Sequence, residues 1–223
     1  MIDLGVAELF RRRVAEWYST HGAHSLPWRS TSNPWHILVA GVLLRNTRVE
    51  QVAKVYQRFL ERFPDPRTLA SASVDEIRGV IRSLGMQNRR ATELKKLAEI
   101  IAERFRGSVP CNQKLLVELP GVGDYIASEV LLAGCGQPKP IVDRNVVRLL
   151  SRVFMGVDPP GPSARDVWRI AESLTPRRSE DARVFSYGVL DLARAVCRVR
   201  KPLCVRCPVN TVCSYYSRVR HIV

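Results

Sequence analysis

The chain has 223 residues at 25.2 kDa, 46% hydrophobic and 25% charged, enough to bury a real core and too apolar to be disordered. A formal net charge of +14 and a pI near 10.1 narrow the partners to something polyanionic, nucleic acid before an anionic membrane surface. No apolar run reaches the ~18 residues of a membrane span, and the N-terminal stretch has early acidic residues and no apolar signal core, so no membrane association and an intracellular, nucleoid-associated location are expected. Of the 35 basic residues six are Lys and 29 are Arg, a bias that suits bidentate phosphate contacts.

Taken in chain order, the pattern is helical almost throughout. Val6, Leu9, Phe10, Val14 and Trp17 fall at helical spacing and predict a first helix that stops before His21 and Gly22. Residues 24–35, rich in Pro and Ser, read as a loop. Val49, Val52, Tyr56, Phe59, Leu60 and Phe63 form a second stripe, stopped by Pro64 and Pro66. Ser73 to Glu76 reads as a capping box before Ile77, Val80, Ile81 and Leu84, with Gly85 as the stop. Leu94, Leu97, Ala98, Ile101 and Phe105 form another stripe. Further helices are predicted near 113–119, 124–134, 145–155, 163–174 and 180–196, with a loop at 157–163. The stretches at 42–45 and 140–143 have some strand character, but nothing alternates for long, so the expected fold class is all-α. Composition announces no domain boundary, repeat or low-complexity linker.

Four of the six cysteines, Cys197, Cys204, Cys207 and Cys213, crowd the C-terminal part with the spacing C-x6-C-x2-C-x5-C. In an intracellular chain such crowding points to metal rather than disulfides. Four thiolates suit either structural zinc or an iron–sulfur cluster. Cys111 and Cys135 lie outside this group and read as ordinary buried thiols. Between the first two ligands lie Arg198, Arg200 and Lys201. A loop clamped at both ends presents such charges outward, where they can meet phosphate.

Two further sites carry chemistry. In Leu119-Pro-Gly-Val-Gly123, Gly121 and Gly123 allow a tight turn and close approach of another molecule's backbone. The turn leads into a helix at Asp124 and Tyr125, whose free N–H groups suit a phosphate. Asp124 is expected to turn away from that phosphate and cap its helix. Asp143 precedes a helix beginning near Asn145 and is placed to N-cap it. There the helix dipole keeps the carboxylate ionised, the state that oxocarbenium chemistry at a sugar requires.

Together, the hairpin Leu119–Gly123, Asp143 eighteen residues beyond Tyr125, and the cysteine spacing resemble the helix-hairpin-helix DNA glycosylases of the endonuclease III and MutY type. The resemblance runs from Leu26-Pro-Trp-Arg29 through the cysteines. It implies a [4Fe–4S] cluster on the four cysteines. It also implies two helical domains with a DNA-binding cleft between them: a six-helix domain with the hairpin over 28–136, and a cluster domain made of 1–27 with 137–223. Within the family the chain looks most like the thymine/uracil mismatch glycosylases. Strand-cleaving members carry Lys where Tyr125 stands, and a phenol cannot form the Schiff base that β-elimination needs. The chain runs only ten residues past Cys213, without the extra C-terminal domain of MutY. Asp143 and Asn145 keep the Asp-x-Asn pattern of MutY and the mismatch enzymes. One departure stands out: in the Leu38–Thr47 stretch, Gly41 occupies the place of the family Glu that protonates adenine in MutY. Thymine and uracil leave as stabilised anions and depend less on such an acid.

The resemblance therefore implies a monofunctional glycosylase that hydrolyses the bond from sugar to thymine or uracil mispaired with guanine in double-stranded DNA, acting as a monomer. Asp143 would stabilise the cationic sugar and orient water, Asn145 would hold Asp143 or the water, and Tyr125 would line the base pocket. Met86 would wedge into the gap left by the flipped base. Arg45 or Asn46 would offer donors to the orphaned guanine. Two alternatives are an adenine-removing enzyme with a displaced acid and a non-catalytic mismatch- or lesion-binding protein. The Asp143 carboxylate, for which a mere binder has no use, speaks against the second.

Overall fold

The computed structural model describes residues 2–158 and 164–219, so most of the loop expected at 157–163 lies outside the described residues. Among the described residues there is no strand, and no helix is long and apolar enough to cross a membrane. The chain divides into two compact units, His24–Gln137 and the combination of Met1–Ala23 with Pro138–Val223.

The unit His24–Gln137 is built around α2 (Pro34–Leu44), which is apolar on every side and buried along most of its length, as a helix inside a core must be. It opens on Asn33, whose side chain accepts from the Trp35 N–H, with Pro34 in the first turn. Upstream, the expected loop contains a 3-10 turn at Pro27–Arg29 that buries Trp28 and Arg29. The amphipathic α3 (Val49–Arg62) packs Val52, Val55, Tyr56, Phe59 and Leu60 inward. Pro64 and Pro66 do end it, but Pro66 also begins α4 (Pro66–Ser71), capped by Asp65. In α5 (Val74–Val80) the capping box is complete: Ser73 accepts from the Glu76 N–H, and Glu76 reaches back to the Ser73 N–H. This helix ends at Val80 rather than at Gly85. Ile81 and Leu84 are carried into the core by a following turn instead. The long α6 (Gln87–Arg104) packs on α4 and α5, and Lys95 donates to the carbonyls of Ala70 and Ala72 at 2.8 Å, which closes the end of α4. The short α7 (Gln113–Val117) and α8 (Asp124–Glu129) flank the hairpin, and α8 continues as a π turn over Val130–Gly134. This unit thus holds seven α-helices, because Asp65 and Ser73 each start a short one between α3 and α6.

One expectation is corrected here. Cys111 and Cys135 are not buried free thiols; they form a disulfide, with Cys111 exposed. No local spacing rule couples residues so far apart. The bridge exists because the hairpin returns the end of α8 to the start of α7, where Gln137 also donates to the Cys111 carbonyl at 2.9 Å.

In the other unit, α1 (Leu4–His21) packs along α11 (Ser179–Ala195), so the N-terminus joins the C-terminal half of the chain. Gly188 permits the approach: a Cβ there would stand 2.8 Å from Val14 Cγ1. The core centres on Phe10, Val14, Leu149, Val167, Leu174 and Leu192. It is completed by α9 (Arg144–Leu150), which runs into a π turn at Ser151–Met155, and by α10 (Ala164–Leu174). The four clustered cysteines follow α11, and α12 (Ser214–Val219) succeeds them.

Candidate functional site

Asp143 ends an extended segment and N-caps α9, as its place in the sequence predicts. Its Oδ1 accepts from the backbone N–H groups of Asn145 and Val146, both at 2.8 Å. Its Oδ2 accepts from Asn145 Nδ2 at 2.8 Å, and Arg194 Nη2 stands 3.5 Å from the same oxygen. Two backbone N–H groups, the Asn145 amide and the Arg194 guanidinium thus surround the Asp143 side chain, which stays one-fifth exposed. Asn145 holds Asp143 directly. Its amide orientation follows from Arg148, whose Nη2 donates to Asn145 Oδ1 at 3.1 Å, so the NH2 must face Asp143. Arg148 itself is buried and donates to the carbonyls of Cys197 and Ala193 at 2.7 and 2.9 Å. A continuous line of hydrogen bonds thus runs from the first clustered cysteine to Asp143.

Cys197, Cys204, Cys207 and Cys213 all line one small cavity of about 20 Å³, with Leu149 and Tyr215 among its walls. Burial pushes the thiols of Cys204 and Cys213 up, and that of Cys207 up to about 12. Arg152, 3% exposed, donates Nη1 to the Cys197 sulfur at 3.5 Å and to the Arg198 carbonyl at 2.7 Å. It also pairs with Asp158 and lies over the Tyr215 ring. Arg198, Arg200 and Lys201 are exposed, with Lys201 in a left-handed conformation.

In the unit His24–Gln137 the hairpin turns at Gly121, with φ +77°, and a Cβ there would meet Arg45 Nη1 at 2.5 Å. Gly123 N-caps α8 and has open space beside it. Asp124 does turn aside, but not to cap its helix. Because Gly123 already occupies the cap, the Asp124 carboxylate accepts from Gln113 Nε2 at 3.1 Å. Tyr125 is half-buried in the first turn of α8. Met86, the N-cap of α6, is 52% exposed and left-handed at φ 59°, and Asn46 is exposed and left-handed at φ 53°. Arg45 is committed elsewhere, paired to Glu93 at 2.7 Å, so of the two residues considered for an orphaned base Asn46 is the one presented. Gly41 sits where α2 crosses α8, and a Cβ there would come within 2.9 Å of Ile126 Cγ2. A longer side chain at position 41 would need Ile126 to move.

A family model described as "HhH-GPD superfamily base excision DNA repair protein" matches residues 39–176. A thymine-DNA glycosylase of Aeropyrum pernix is 50% identical over 219 residues, covering 97% of this chain and 98% of the relative. The chain belongs to the HhH-GPD superfamily. A thymine/uracil-DNA glycosylase of Pyrobaculum aerophilum is 48% identical, over 94% of this chain and 92% of its own length. A solved thermostable thymine-DNA glycosylase superposes with a TM-score of 0.88 at 31% identity, covering 96% of this chain and 98% of the other.

For this HhH-GPD member the structure gathers Asp143, Asn145 and the four cysteines in one unit, and Asn46, Met86, Tyr125 and the hairpin in the other. Sequence reasoning passed over Arg148, Arg152, Arg90, Glu93 and Ile126. For the first two a signal was available: both are charges on the apolar face of the 145–155 pattern, and a charge there has to be satisfied by something.

Proposed function

We propose that the chain is a base-excision DNA N-glycosylase that releases thymine or uracil mispaired with guanine and leaves the abasic strand uncut. The observation that carries this reading is the Asp143 carboxylate, held by α9 and Asn145, in a chain half identical to a thymine-DNA glycosylase over nearly its full length. The C1′–N1 bond breaks, its electron pair leaves with the base as a pyrimidine anion, and the sugar becomes an oxocarbenium ion that the Asp143 charge stabilises. Water adds to C1′ and gives up its proton, while the departing anion takes a proton from solvent. Tyr125 lines the base pocket and supplies no amine. Met86 fills the gap in the stack, Asn46 faces the orphaned guanine, and the hairpin with Arg198, Arg200 and Lys201 grips phosphates of double-stranded DNA. The packing of Gly41 against Ile126 supports a pocket without the acid that adenine release uses.

The four cysteines fit a [4Fe–4S] cluster. All four cysteines line one cavity, and four thiolates are the donor set that such a cluster takes. When bound, such a cluster would clamp the loop that carries the four cysteines, and Arg148 of α9 and Arg152 of the π turn after it are the residues that tie this loop to that helix. We place the protein in the cell interior, acting as a monomer. The test is a panel of single-mismatch duplexes with alkali treatment to reveal abasic sites. Release of thymine or uracil from mismatches with guanine is expected. Release of adenine alone, or binding with no release, overturns the reading.

A further inference from the structure

Asn46 and Met86 stand 40 residues apart in sequence, yet both are non-glycine residues in the left-handed region. Such conformations are strained and persist only where the surroundings over-determine them. One small network joins the two turns. Arg90, 5% exposed, donates Nη2 to the Arg45 carbonyl at 2.6 Å and to Thr47 Oγ1 at 3.0 Å, gripping the turn on either side of Asn46. Its backbone N–H makes the ordinary helix bond to the Met86 carbonyl at 3.0 Å, so Arg90 sits in the first turn of α6, the turn that Met86 opens, and its side chain ties that turn to the Asn46 turn. One turn further along α6, Glu93 pairs with Arg45 at 2.7 Å and with Arg89 at 2.8 Å. Arg45 Nη1, in turn, lies where a side chain on Gly121 of the hairpin would be. Arg90 Nη1 is buried without an acceptor. A buried donor without an acceptor weighs against stability, and it is offset here by the two bonds that the other guanidinium nitrogen makes to the Asn46 turn.

We infer that Arg90, assisted by Glu93, is a positioning residue that couples the Asn46 turn to the Met86 turn, so that reading the opposite base and filling the gap act as one unit. The inference rests on the functional reading above. Its test uses Arg90→Met, Arg90→Lys and Thr47→Val, alone and combined with Asn46→Ala and Met86→Ala. Uracil release is compared between U·G duplex and single-stranded DNA, which offers no gap to fill and no opposite base. In parallel, affinity is compared between an uncleavable abasic analogue opposite guanine and undamaged duplex. Arg90→Met is expected to lower both ratios about tenfold or more, and to add less than about twofold once Asn46 and Met86 are already replaced, the signature of one coupled unit. Arg90→Lys, able to reach one acceptor, should recover part of the loss. Unchanged ratios, or losses that simply add, overturn the coupling. Thr47→Val removes the bond from Arg90 and the hydroxyl's own bond to the Arg45 carbonyl, and decides the matter by the same ratios where Arg90→Met does not fold. A wild type that releases no base from any duplex overturns the functional reading instead, and the affinity arm still decides the coupling.

Discussion

The disulfide between Cys111 and Cys135 encloses α7, the hairpin and α8, so removing it tests how far the hairpin depends on covalent closure. With 24 residues of separation, the loop-entropy relation for a cross-linked unfolded chain gives about 3.5 kcal/mol at 25 °C. At the usual unfolding entropy per residue, a chain of 223 residues that melts as one unit would lose about 7 °C in Tm. The variant should be Cys111→Ala with Cys135→Ala rather than a thiol reductant, which would also compete for any metal that the other four cysteines hold. Scanning calorimetry of both proteins without reductant reads the shift. Thiol titration of the denatured, metal-free wild type should find two fewer free thiols before reduction than the six present in the sequence. The Gln137 bond to the Cys111 carbonyl survives the substitution, so the variant should fold and melt earlier. A Tm equal to that of the wild type, or six titrating thiols before reduction, would refute the reasoning.

Asp143→Asn should keep the cap, since the amide oxygen can still accept from Asn145 and Val146, but lose the charge. Base release should fall by ~10²–10³ or more with duplex binding retained, and single-turnover release at the wild-type rate would remove Asp143 from the mechanism. Gly41→Ala pushes a methyl to 2.9 Å from Ile126 Cγ2 and should cost about 1–3 kcal/mol in urea unfolding, partly recovered by adding Ile126→Ala; equal midpoints for Gly41→Ala and wild type would contradict the packing. Wild-type product should stay an intact abasic strand until alkali is added, whereas Tyr125→Lys should yield a borohydride-trappable complex; efficient trapping by the wild type would end the monofunctional assignment. The protein prepared without oxygen should be brown, with a broad visible band and iron on analysis, and a colourless preparation carrying one equivalent of zinc would exclude the cluster.

Much of this molecule is legible without coordinates because helices are local objects. The stripe Val52, Tyr56, Phe59 and Leu60, the Ser73–Glu76 capping box and the N-cap at Asp143 all recur or bond within four residues along the chain, so their residue types announce them. The cysteine spacing is local in the same sense. What the chain order could not reveal are contacts between segments that only packing brings together. Gly85 looked like a helix stop, yet the burial of Ile81 and Leu84 turned the chain earlier. Cys111 meets Cys135, Arg45 meets Glu93, and Arg148 meets Cys197 across separations of 24, 48 and 49 residues. None of these pairs has a spacing rule. Each follows from which helix faces bury first, and buried polar groups then take whichever partners that packing leaves within reach. The pairing of Arg45, which leaves Asn46 the more exposed of the two, was set in this way, by a glutamate on a helix nearly fifty residues downstream rather than by anything beside it in the sequence.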